Sequence, residues 1–428
     1  ETEKAIRKHT PNFDIEKIPL DDKATMSDMA KGYTDGVFQF ESGGMRSVLQ
    51  SFKPEKLEDL IAIISLYRPG PMDSIPEYIK RRHNSSEIKY KSPLLEPILK
   101  STYGCIVYQE QVMQICVKIA NYSYGHADIV RRAMSKKKAS VMEQERSDFV
   151  SGALKNGISQ NVANELFDEM LGFAKYAFNK SHAVAYAIIA YRTAYLKSKY
   201  PREYYASLIT SVLGNVGKTN EYIDECEKLN IRVLPPDVNK SEVNFSVDST
   251  NIRFGLLALK NVGRSLISSI IKDREENGEY TSFENFVFRL KDADITKRQI
   301  EALIKVGAFD SLGRHRSQLM EKYEEIVDSA TNISRTTAHG QTDIFSIMND
   351  SSELEVLPKF EFPNINEFSK KELLMYEKEI AGIYFSGHIL DSYNKHISAL
   401  NVQKITDIVG DEENESSFKE KDAVRIAG

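Results

Sequence analysis

The sequence predicts a mainly α-helical chain of several domains with only small β elements. Residues 105–230 show an almost continuous helical period of apolar positions. The pair Pro235 and Pro236 then interrupts that period and marks a domain boundary. A chain of 428 residues, 41% of them hydrophobic, is long and apolar enough for about two to four domains with packed cores.

Short elements and one rigid turn are predicted before this helical region. Gly36–Gly44 is expected to be a short apolar strand closed by a glycine pair, and Leu57–Leu66 a helix. That helix should end at Tyr67–Pro71, because its prolines and glycine cannot continue a helix. The turn would present Arg68 with little conformational freedom; the alternative is an exposed turn arginine. Tyr103–Ile115 is expected to be a short strand that runs into a helix.

In the stretch from Tyr176 to Tyr200, the residues from Ser181 on predict one long helix, with Asn179 or Ser181 as its N-cap. Lys180 and His182 lie at its start, where the helix dipole is already positive and repels cations. A bound anion such as phosphate would remove this conflict, because free N–H groups at a helix start bind phosphate. The alternative is that both side chains simply point into water. The apolar face is expected to contain Val184, Ile188, Tyr191 and Tyr195.

Positive charge is concentrated in two stretches that contain no acidic residue. Residues 131–138 hold five cations (Arg131, Arg132, Lys136, Lys137 and Lys138), and residues 175–202 hold six more Lys and Arg. The whole chain, in contrast, has a formal net charge of −5. Cations interleaved with Tyr and Phe suit the phosphates of a nucleotide or a nucleic-acid backbone. A solvated basic face is the alternative.

A helix-hairpin-helix pair is predicted after the proline boundary. The strand-like run at 251–259 leads into Leu259–Gly263 and then a helix, an arrangement that aims backbone N–H groups at a nucleic-acid phosphate. Asn261 takes the position where the usual motif has its first glycine, and asparagine tolerates a positive φ. Residues 300–312, with Lys305 and Gly307, are expected to form the second hairpin.

Residues 327–360 lose the helical period and gain Ser, Thr, Asn and Asp, which predicts a flexible linker. The linker contains Gln341, Asp343, Ile344 and Phe345, an apolar pair behind a glutamine. Two interpretations stay open, a loop that tucks this pair onto its own domain and a short peptide that docks in a pocket of a partner. A charged helix should resume at Lys370–Ile383, and a strand should begin at Val424–Gly428.

Several other classes of site and protein are disfavoured. Three cysteines form no metal pattern and no disulfide framework, which points to a reducing cytosol. No run has membrane-spanning length. Gly214–Thr219 ends like a P-loop but has Val212 at the leading glycine position. No Ser/His/Asp or Cys/His set suggests a hydrolase, and the pairs Asp21–Asp22 and Glu58–Asp59 are expected to be turn and helix-surface residues.

The assembled motifs resemble a known family. In chain order they are Gly36–Ser42, Tyr67–Pro71, Tyr103–Gly104, Tyr108–Met113, Arg131–Lys138, Phe178–His182 and Leu234–Asp237. In that order they resemble the bacterial replicative DNA polymerase III alpha subunit, and the domain order is similar to the DnaE type rather than the PolC type. The resemblance covers essentially the whole chain.

The resemblance implies a domain layout. Residues 1–30 would end the palm, 31–235 form the fingers that receive the incoming nucleotide, 236–325 form a tandem helix-hairpin-helix domain, 326–360 a linker, 361–399 a helical connector, and 400–428 the first strands of an OB domain. Gln341, Asp343, Ile344 and Phe345 would be the internal clamp-binding motif. The catalytic aspartates would precede Glu1, so the chain is expected to be a piece of a longer protein and inactive alone.

The activity implied by the resemblance is nucleotidyl transfer, in which a primer 3′-hydroxyl attacks the α-phosphate of a dNTP. Partners would be primer–template DNA, the sliding clamp (the beta subunit) and other holoenzyme subunits, in the cytoplasm and without a membrane. Mg²⁺ would be held upstream, and no cofactor is expected on this chain. Nucleotide contacts are implied for Arg68, Arg131, Arg132, Asn179, Lys180, Ser181 and His182. DNA contacts are implied for Lys136, Lys137, Lys138, Lys260, Asn261, Val262, Gly263, Lys305 and Gly307.

A rival hypothesis is a non-catalytic DNA-binding module tethered to the clamp, such as a repair scaffold. It accounts for the hairpins and for Gln341–Phe345. It does not account for Arg68, for the pair Arg131 and Arg132, or for Asn179–His182.

Replacing Ile344 and Phe345 with alanine should remove most binding to a sliding clamp and leave DNA binding unchanged. Buried apolar anchors supply most of the energy of a short peptide contact, roughly 2 kcal/mol or more each. A clamp pull-down and a DNA titration measure the two effects. Retention of the double variant at wild-type strength would show that the motif has another role.

Overall fold

The computed structural model describes residues 1–135, 139–174, 177–293, 295–338 and 358–393, together with 400, 402–403, 405, 408, 418 and 422–426. Its helices in chain order are α1 Thr2–Arg7, α2 Lys23–Ala30, α3 Gly43–Phe52, α4 Leu57–Leu66, α5 Ile75–His83, α6 Glu96–Leu99, α7 Gln109–Ala120, α8 Tyr124–Ser135, α9 Ala139–Lys155, α10 Gln160–Ala174, α11 Lys180–Lys199, α12 Pro201–Ser211, α13 Val216–Lys228, α14 Arg264–Asn277, α15 Phe283–Arg289, α16 Lys297–Lys305, α17 Arg316–Ala338 and α18 Lys370–Ala381. The strands are β1 Val233–Leu234, β2 Ser246–Asp248 and β3 Asn251–Arg253. Among the residues described, no helix is both long and apolar enough to cross a bilayer.

The mainly α-helical prediction is confirmed, and α7 to α13 fill the region with the continuous helical period. Gly104 and Gly157 lie at breaks between helices, with φ of 80° and 73°. Gly125 and Gly172, in contrast, lie inside α8 and α10. A glycine interrupts a helix only where the chain uses a backbone conformation that other residues avoid.

The chain divides into two compact units, Ile15–Lys199 (the N-proximal unit) and Glu1–Asp14 with Tyr200–Gly428 (the C-proximal unit). The predicted boundary at Pro235 and Pro236 does not separate units. Helices α12 and α13 share one buried cluster with residues that follow the prolines. The helical run already ends at Lys228, and β1 lies between it and the prolines. The apolar faces of α12 and α13 are buried against the later part of the chain.

Helix α11 packs along α4 in the N-proximal unit. Its buried face is a stripe of small residues, Ala183, Ala187, Ala190 and Ala194, together with Tyr191. Three of the four residues predicted for the apolar face of α11, Val184, Ile188 and Tyr195, are only half-buried. The observed buried face is therefore displaced from the predicted one by about one residue. Residues 60–66 of α4 are buried throughout, and alanines let so bulky a helix approach closely.

A buried ion pair joins α3, α4 and α5. The Asp59 carboxylate is 1% exposed and accepts hydrogen bonds from the backbone N–H of Glu55 (2.9 Å) and from Arg82 Nη2 (2.9 Å). Arg82 also lies over the Phe52 ring, 5.0 Å from its centroid. The prediction that Asp59 is a helix-surface residue was wrong, because the sequence period does not show that Arg82 lies opposite it.

Two predicted strands are absent from this part of the structure. Residues 36–42 form turns that lead to the N-cap Ser42 of α3, with Gln39 at a φ of 67°. Before α7, the strand predicted at the start of Tyr103–Ile115 is reduced to one parallel bridge between Tyr108 and Phe178. An apolar run becomes a strand only if another strand lies beside it to complete the hydrogen-bond ladder.

The C-proximal unit contains a three-stranded sheet in the order β1-β3-β2. Strand β3 pairs in parallel with β1 and antiparallel with β2. The large aromatic side chains of its core include Phe254, Phe283, Phe286 and Phe309, all 1% exposed or less. These aromatic residues belong to a buried apolar cluster that also includes residues of α16 and α17 and Ile380 of α18.

A second buried ion pair fixes α16, α17 and α18 together. Glu377 is fully buried and accepts hydrogen bonds from Arg316 Nη1 (3.1 Å) and from the backbone N–H of Phe385 (2.7 Å). Arg316 Nη2 also donates to Asp310 (2.7 Å). Burial alone would lower the pKa of Arg316, but the hydrogen bonds and charges of Asp310 and Glu377 raise it. Gly307 leaves the space for this guanidinium, since a Cβ there would lie 2.2 Å from Arg316 Nη2.

The predicted linker begins later than its composition suggested. Helix α17 continues to Ala338, and Ile326, Val327 and Ala330 are buried, so residues 327–338 are helical. Residues 339–357, with the motif Gln341–Phe345, lie outside the described residues. The helix predicted at Lys370–Ile383 is confirmed as α18. At the C-terminus, residues 422–426 are not in a strand, although the Gln403 N–H donates to the Arg425 carbonyl (2.8 Å).

Replacing Ala187 with leucine should destabilise the N-proximal unit by about 1–3 kcal/mol, because the larger side chain overpacks the α11 face that meets α4. Ala185 is the matched control: it lies on the exposed side of α11, and Ala185→Leu should change stability by about 0.5 kcal/mol or less. Chemical unfolding followed by circular dichroism measures both. Equal effects of the two variants would place the buried face elsewhere.

Candidate anion-binding site

Two helices of the N-proximal unit begin side by side. The bridge between Tyr108 and Phe178 joins the residues that precede α7 and α11. The Gln109 backbone N–H donates to the Phe178 carbonyl (2.9 Å), and Gln109 Nε2 donates to the Ala177 carbonyl (2.8 Å). Two positive helix ends therefore meet at one place, which favours negative charge there.

Of the two residues predicted as alternatives for the N-cap of α11, Asn179 is the cap. Its Oδ1 accepts a hydrogen bond from the His182 backbone N–H at 2.9 Å. Ser181, the other alternative, is the second residue of the helix and is exposed. The Lys180 ammonium lies 5.2 Å from the centroid of the Tyr108 ring, so it leans back over the start of α7.

An anion does lie at the start of α11, and it is the carboxylate of Glu110. Both of its oxygens are 3.1 Å from the Lys180 backbone nitrogen, and Oε1 also accepts from Asn179 Nδ2 at 3.0 Å. The conflict between Lys180, His182 and the helix dipole is thus relieved by a residue of the chain. Burial, followed by the charge of Glu110, raises the pKa of the neighbouring Tyr108 phenol.

Arg68 reaches this place from the turn after α4. Its guanidinium lies over the Phe178 ring, 4.1 Å from the centroid, while Nε and Nη2 donate to the Ser65 carbonyl. Burial lowers the pKa of Arg68. The ring of His182 also makes an edge contact with Phe178, with 5.4 Å between centroids, and its centroid is 4.4 Å from that of the Tyr186 ring.

Arg131 reaches the site from α8. Its Nη1 donates to Gln109 Oε1 (3.0 Å), and its Nη2 donates to Asp128 (2.7 Å). Asp128 also accepts from Nε of Arg132 (2.8 Å), whose side chain is 67% exposed against 18% for Arg131. The hydrogen bond from Arg131 lowers the pKa of Asp128, although burial acts in the opposite direction.

The structure thus brings most of the predicted residues to one place. Arg68 and His182 both contact Phe178, while Arg131 contacts Gln109, which is bonded to the chain just before α11. The side chain of Arg132 is more exposed than that of Arg131. Lys136, Lys137 and Lys138 lie outside the described residues.

Sequence reasoning missed the two carboxylates and the residues that connect the cations. Asp128 precedes Arg131 and Arg132 by three and four residues, a helical spacing at which ion pairs form. This spacing is visible in the sequence, but Asp128 lies just before the acid-free stretch of residues 131–138. Glu110 and Gln109 gave no such signal, because their partners around the start of α11 are about seventy residues away along the chain.

The two predicted hairpins differ in exposure. In the first, Lys260, Asn261 and Gly263 are exposed, Val262 is buried, and Asn261 has a φ of 67°. The Lys260 backbone N–H is not available to a ligand, since it donates to the Ile380 carbonyl (3.0 Å).

In the second hairpin, the Lys305 ammonium is paired with Glu301 (2.9 Å) and Glu379 (3.4 Å) and is 15% exposed. Gly307 donates its N–H to the Ile304 carbonyl (3.0 Å) and lies against Arg316. The donors predicted here are therefore used inside the unit.

Comparisons with known families identify two matching regions of the chain. Residues 1–157 match the family model described as "Bacterial DNA polymerase III alpha subunit finger domain", and residues 230–319 match "Helix-hairpin-helix motif". The first match begins at residue 1 and so includes residues 1–30, which sequence analysis assigned to the end of a palm.

The chain is also similar to curated bacterial proteins, each named "DNA polymerase III subunit alpha". It is 42% identical to that of Borreliella burgdorferi over 409 residues, which is 95% of this chain and 35% of the relative. It is 42% identical to those of Chlamydia trachomatis (92% of this chain, 32% of the relative) and Staphylococcus aureus (89% and 34%). The chain spans about a third of the length of these relatives.

Proposed function

Over the region that it covers, the chain belongs to the family of the bacterial DNA polymerase III alpha subunit, and we propose that it binds the triphosphate of the incoming nucleotide for a DNA-directed DNA polymerase. The reaction would be transfer of a nucleotide from a dNTP to a primer 3′-hydroxyl with release of pyrophosphate. The N-proximal unit provides the nucleotide site and the C-proximal unit contributes duplex contacts.

The observation that carries this proposal is the meeting of two helix starts with Arg68, Arg131 and Lys180. Backbone N–H groups at a helix start and guanidinium groups are the donors that bind phosphate oxygens in proteins. The aromatic rings of Phe178 and Tyr108 hold the cations of Arg68 and Lys180 beside the helix starts.

In the reaction, these residues would act by charge and by position. Negative charge builds on the leaving pyrophosphate as its bond to the α-phosphate breaks, and cations already in place stabilise that charge without reorganising. The described residues contain no group of three or more His, Cys, Asp or Glu placed to hold a metal ion. The role proposed for this chain, on the strength of its cations and helix starts, is to bind and orient the triphosphate.

Contact with duplex DNA is proposed for the first hairpin and not for the second. Lys260 and Asn261 are exposed, whereas Lys305 is paired with two glutamates and Gly307 is covered by Arg316. Phosphate contacts of this kind position a protein on DNA without reading its sequence. The sliding clamp, bound through Gln341–Phe345, the other holoenzyme subunits and a cytoplasmic location belong to the proposal through the family alone.

In a full-length alpha subunit that carries this chain, Arg131→Ala and Lys180→Ala should each slow nucleotide incorporation by about a hundredfold to a thousandfold, the usual cost of losing one such stabilising contact. Single-turnover kinetics with saturating primer–template and varied dNTP measure the rate and the nucleotide affinity. Arg132→Ala tests its more exposed neighbour in the same way.

Lys155→Ala is a matched control for these variants. Lys155 is an exposed cation at the end of α9. Its neighbour Asn156 donates from Nδ2 to the Ile119 carbonyl (2.9 Å), near the C-terminal end of α7, whereas Gln109 and the proposed site are at the other end of that helix. Lys155→Ala should leave the kinetics unchanged. Normal incorporation by Arg131→Ala and Lys180→Ala, combined with weaker DNA binding, would assign these residues to the duplex instead.

Lys260→Ala should weaken duplex binding uniformly across DNA sequences and reduce the slope of log affinity against log salt by about one unit. Lys305→Ala is the matched variant from the second hairpin and should leave DNA affinity and the salt slope unchanged, because its charge is already neutralised by Glu301 and Glu379. Fluorescence anisotropy with duplex DNA over a salt series compares them. A larger loss with Lys305→Ala would reverse the assignment of the two hairpins.

A further inference from the structure

Glu110 holds the donors that the proposed function assigns to phosphate. We propose that its carboxylate is an intramolecular competitor, which the triphosphate must displace from the start of α11 when the nucleotide binds. Glu110 would then lower the affinity for nucleotide and so act on specificity for strongly charged, multidentate phosphates. This inference rests on the proposed function and concerns the same site.

The contacts of Glu110 are those expected of a phosphate oxygen at a helix start. Both carboxylate oxygens lie 3.1 Å from the Lys180 backbone nitrogen, and Oε1 is 3.0 Å from Asn179 Nδ2. A backbone N–H that donates to this carboxylate has no second hydrogen for another acceptor. A phosphate that binds the Lys180 N–H must therefore replace the carboxylate.

The fold of this region does not depend on the carboxylate. Asn179 caps α11 through the His182 N–H, and the starts of α7 and α11 are joined by the bonds of Gln109 to Phe178 and Ala177. The bonds from Asn179 and Lys180 to Glu110 lie at the protein surface. A glutamate side chain there can rotate into water, where its charge is solvated.

Asp128, the other carboxylate of the site, is placed differently. It is bonded to Arg131 and Arg132 on its own helix and makes none of the described contacts with the start of α11. A phosphate can approach the exposed Arg132 side chain without breaking a bond at the helix start. The competition is therefore assigned to Glu110.

The test is the nucleotide Kd in single-turnover incorporation by a full-length alpha subunit that carries this chain. Glu110→Gln keeps the shape and an acceptor oxygen but removes the charge, and Glu110→Ala removes both. Each variant should bind dATP about fivefold more tightly, as expected for two like charges about 4 Å apart in water. Glu143→Gln, which removes an exposed carboxylate from α9, is the charge-matched control and should leave the Kd unchanged.

The opposite result is equally informative. If Glu110 only holds the two helices in place, both variants would weaken dATP binding or lower the maximal rate, and the inference is wrong. An unchanged Kd in the folded variants would also overturn it. Lys180→Ala in the same assay distinguishes failure of the competition from failure of the proposed function. If Lys180→Ala weakens dATP binding while Glu110→Gln does not strengthen it, the nucleotide site stands and only the competition is rejected.

Discussion

Two helix starts placed side by side impose the main constraint on the N-proximal unit. The first N–H groups of α7 and α11 have no partners within their own helices, and both helix dipoles are positive at this end. The structure satisfies them with the Phe178 carbonyl, the Asn179 side chain and the Glu110 carboxylate. The positions of Arg68 over Phe178 and of Arg131 against Gln109 follow from the way these two starts are joined.

The same pairing of cations with carboxylates has different consequences at different depths. Asp59 with Arg82, and Glu377 with Arg316, are buried pairs that hold several helices together, and loss of one partner from such a pair typically costs about 3–5 kcal/mol. Asp128 with Arg131 and Arg132 is a partly exposed pair, and the Glu110 carboxylate accepts hydrogen bonds from the Lys180 N–H and from Asn179 at the surface, where water screens charge. Such surface contacts cost little to break, whereas the buried pairs are costly to break.

The two hairpins of the C-proximal unit share one motif but differ in solvent exposure. Lys260 and Asn261 stay exposed, whereas the turn of the second hairpin is covered by the Arg316 network and by α18. That network depends on Glu377, more than seventy residues after Lys305. The sequence of the hairpin alone does not distinguish a turn that is open to DNA from one that is packed inside the protein.

The sequence by itself determined the helical region, the end of α4 before Arg68, a cap for α11 at Asn179 or Ser181 and the concentration of cations, because these depend on residues close together in the chain. It also determined the family, through motifs whose residue order is local. Only the tertiary structure decided that the buried face of α11 is its alanine stripe, that Gly36–Gly44 is not a strand, and that α12 and α13 pack with the residues after Pro236. It also showed that the anion at the start of α11 is Glu110. Each of these depends on which distant residue lies opposite, and neither helical period nor composition contains that information.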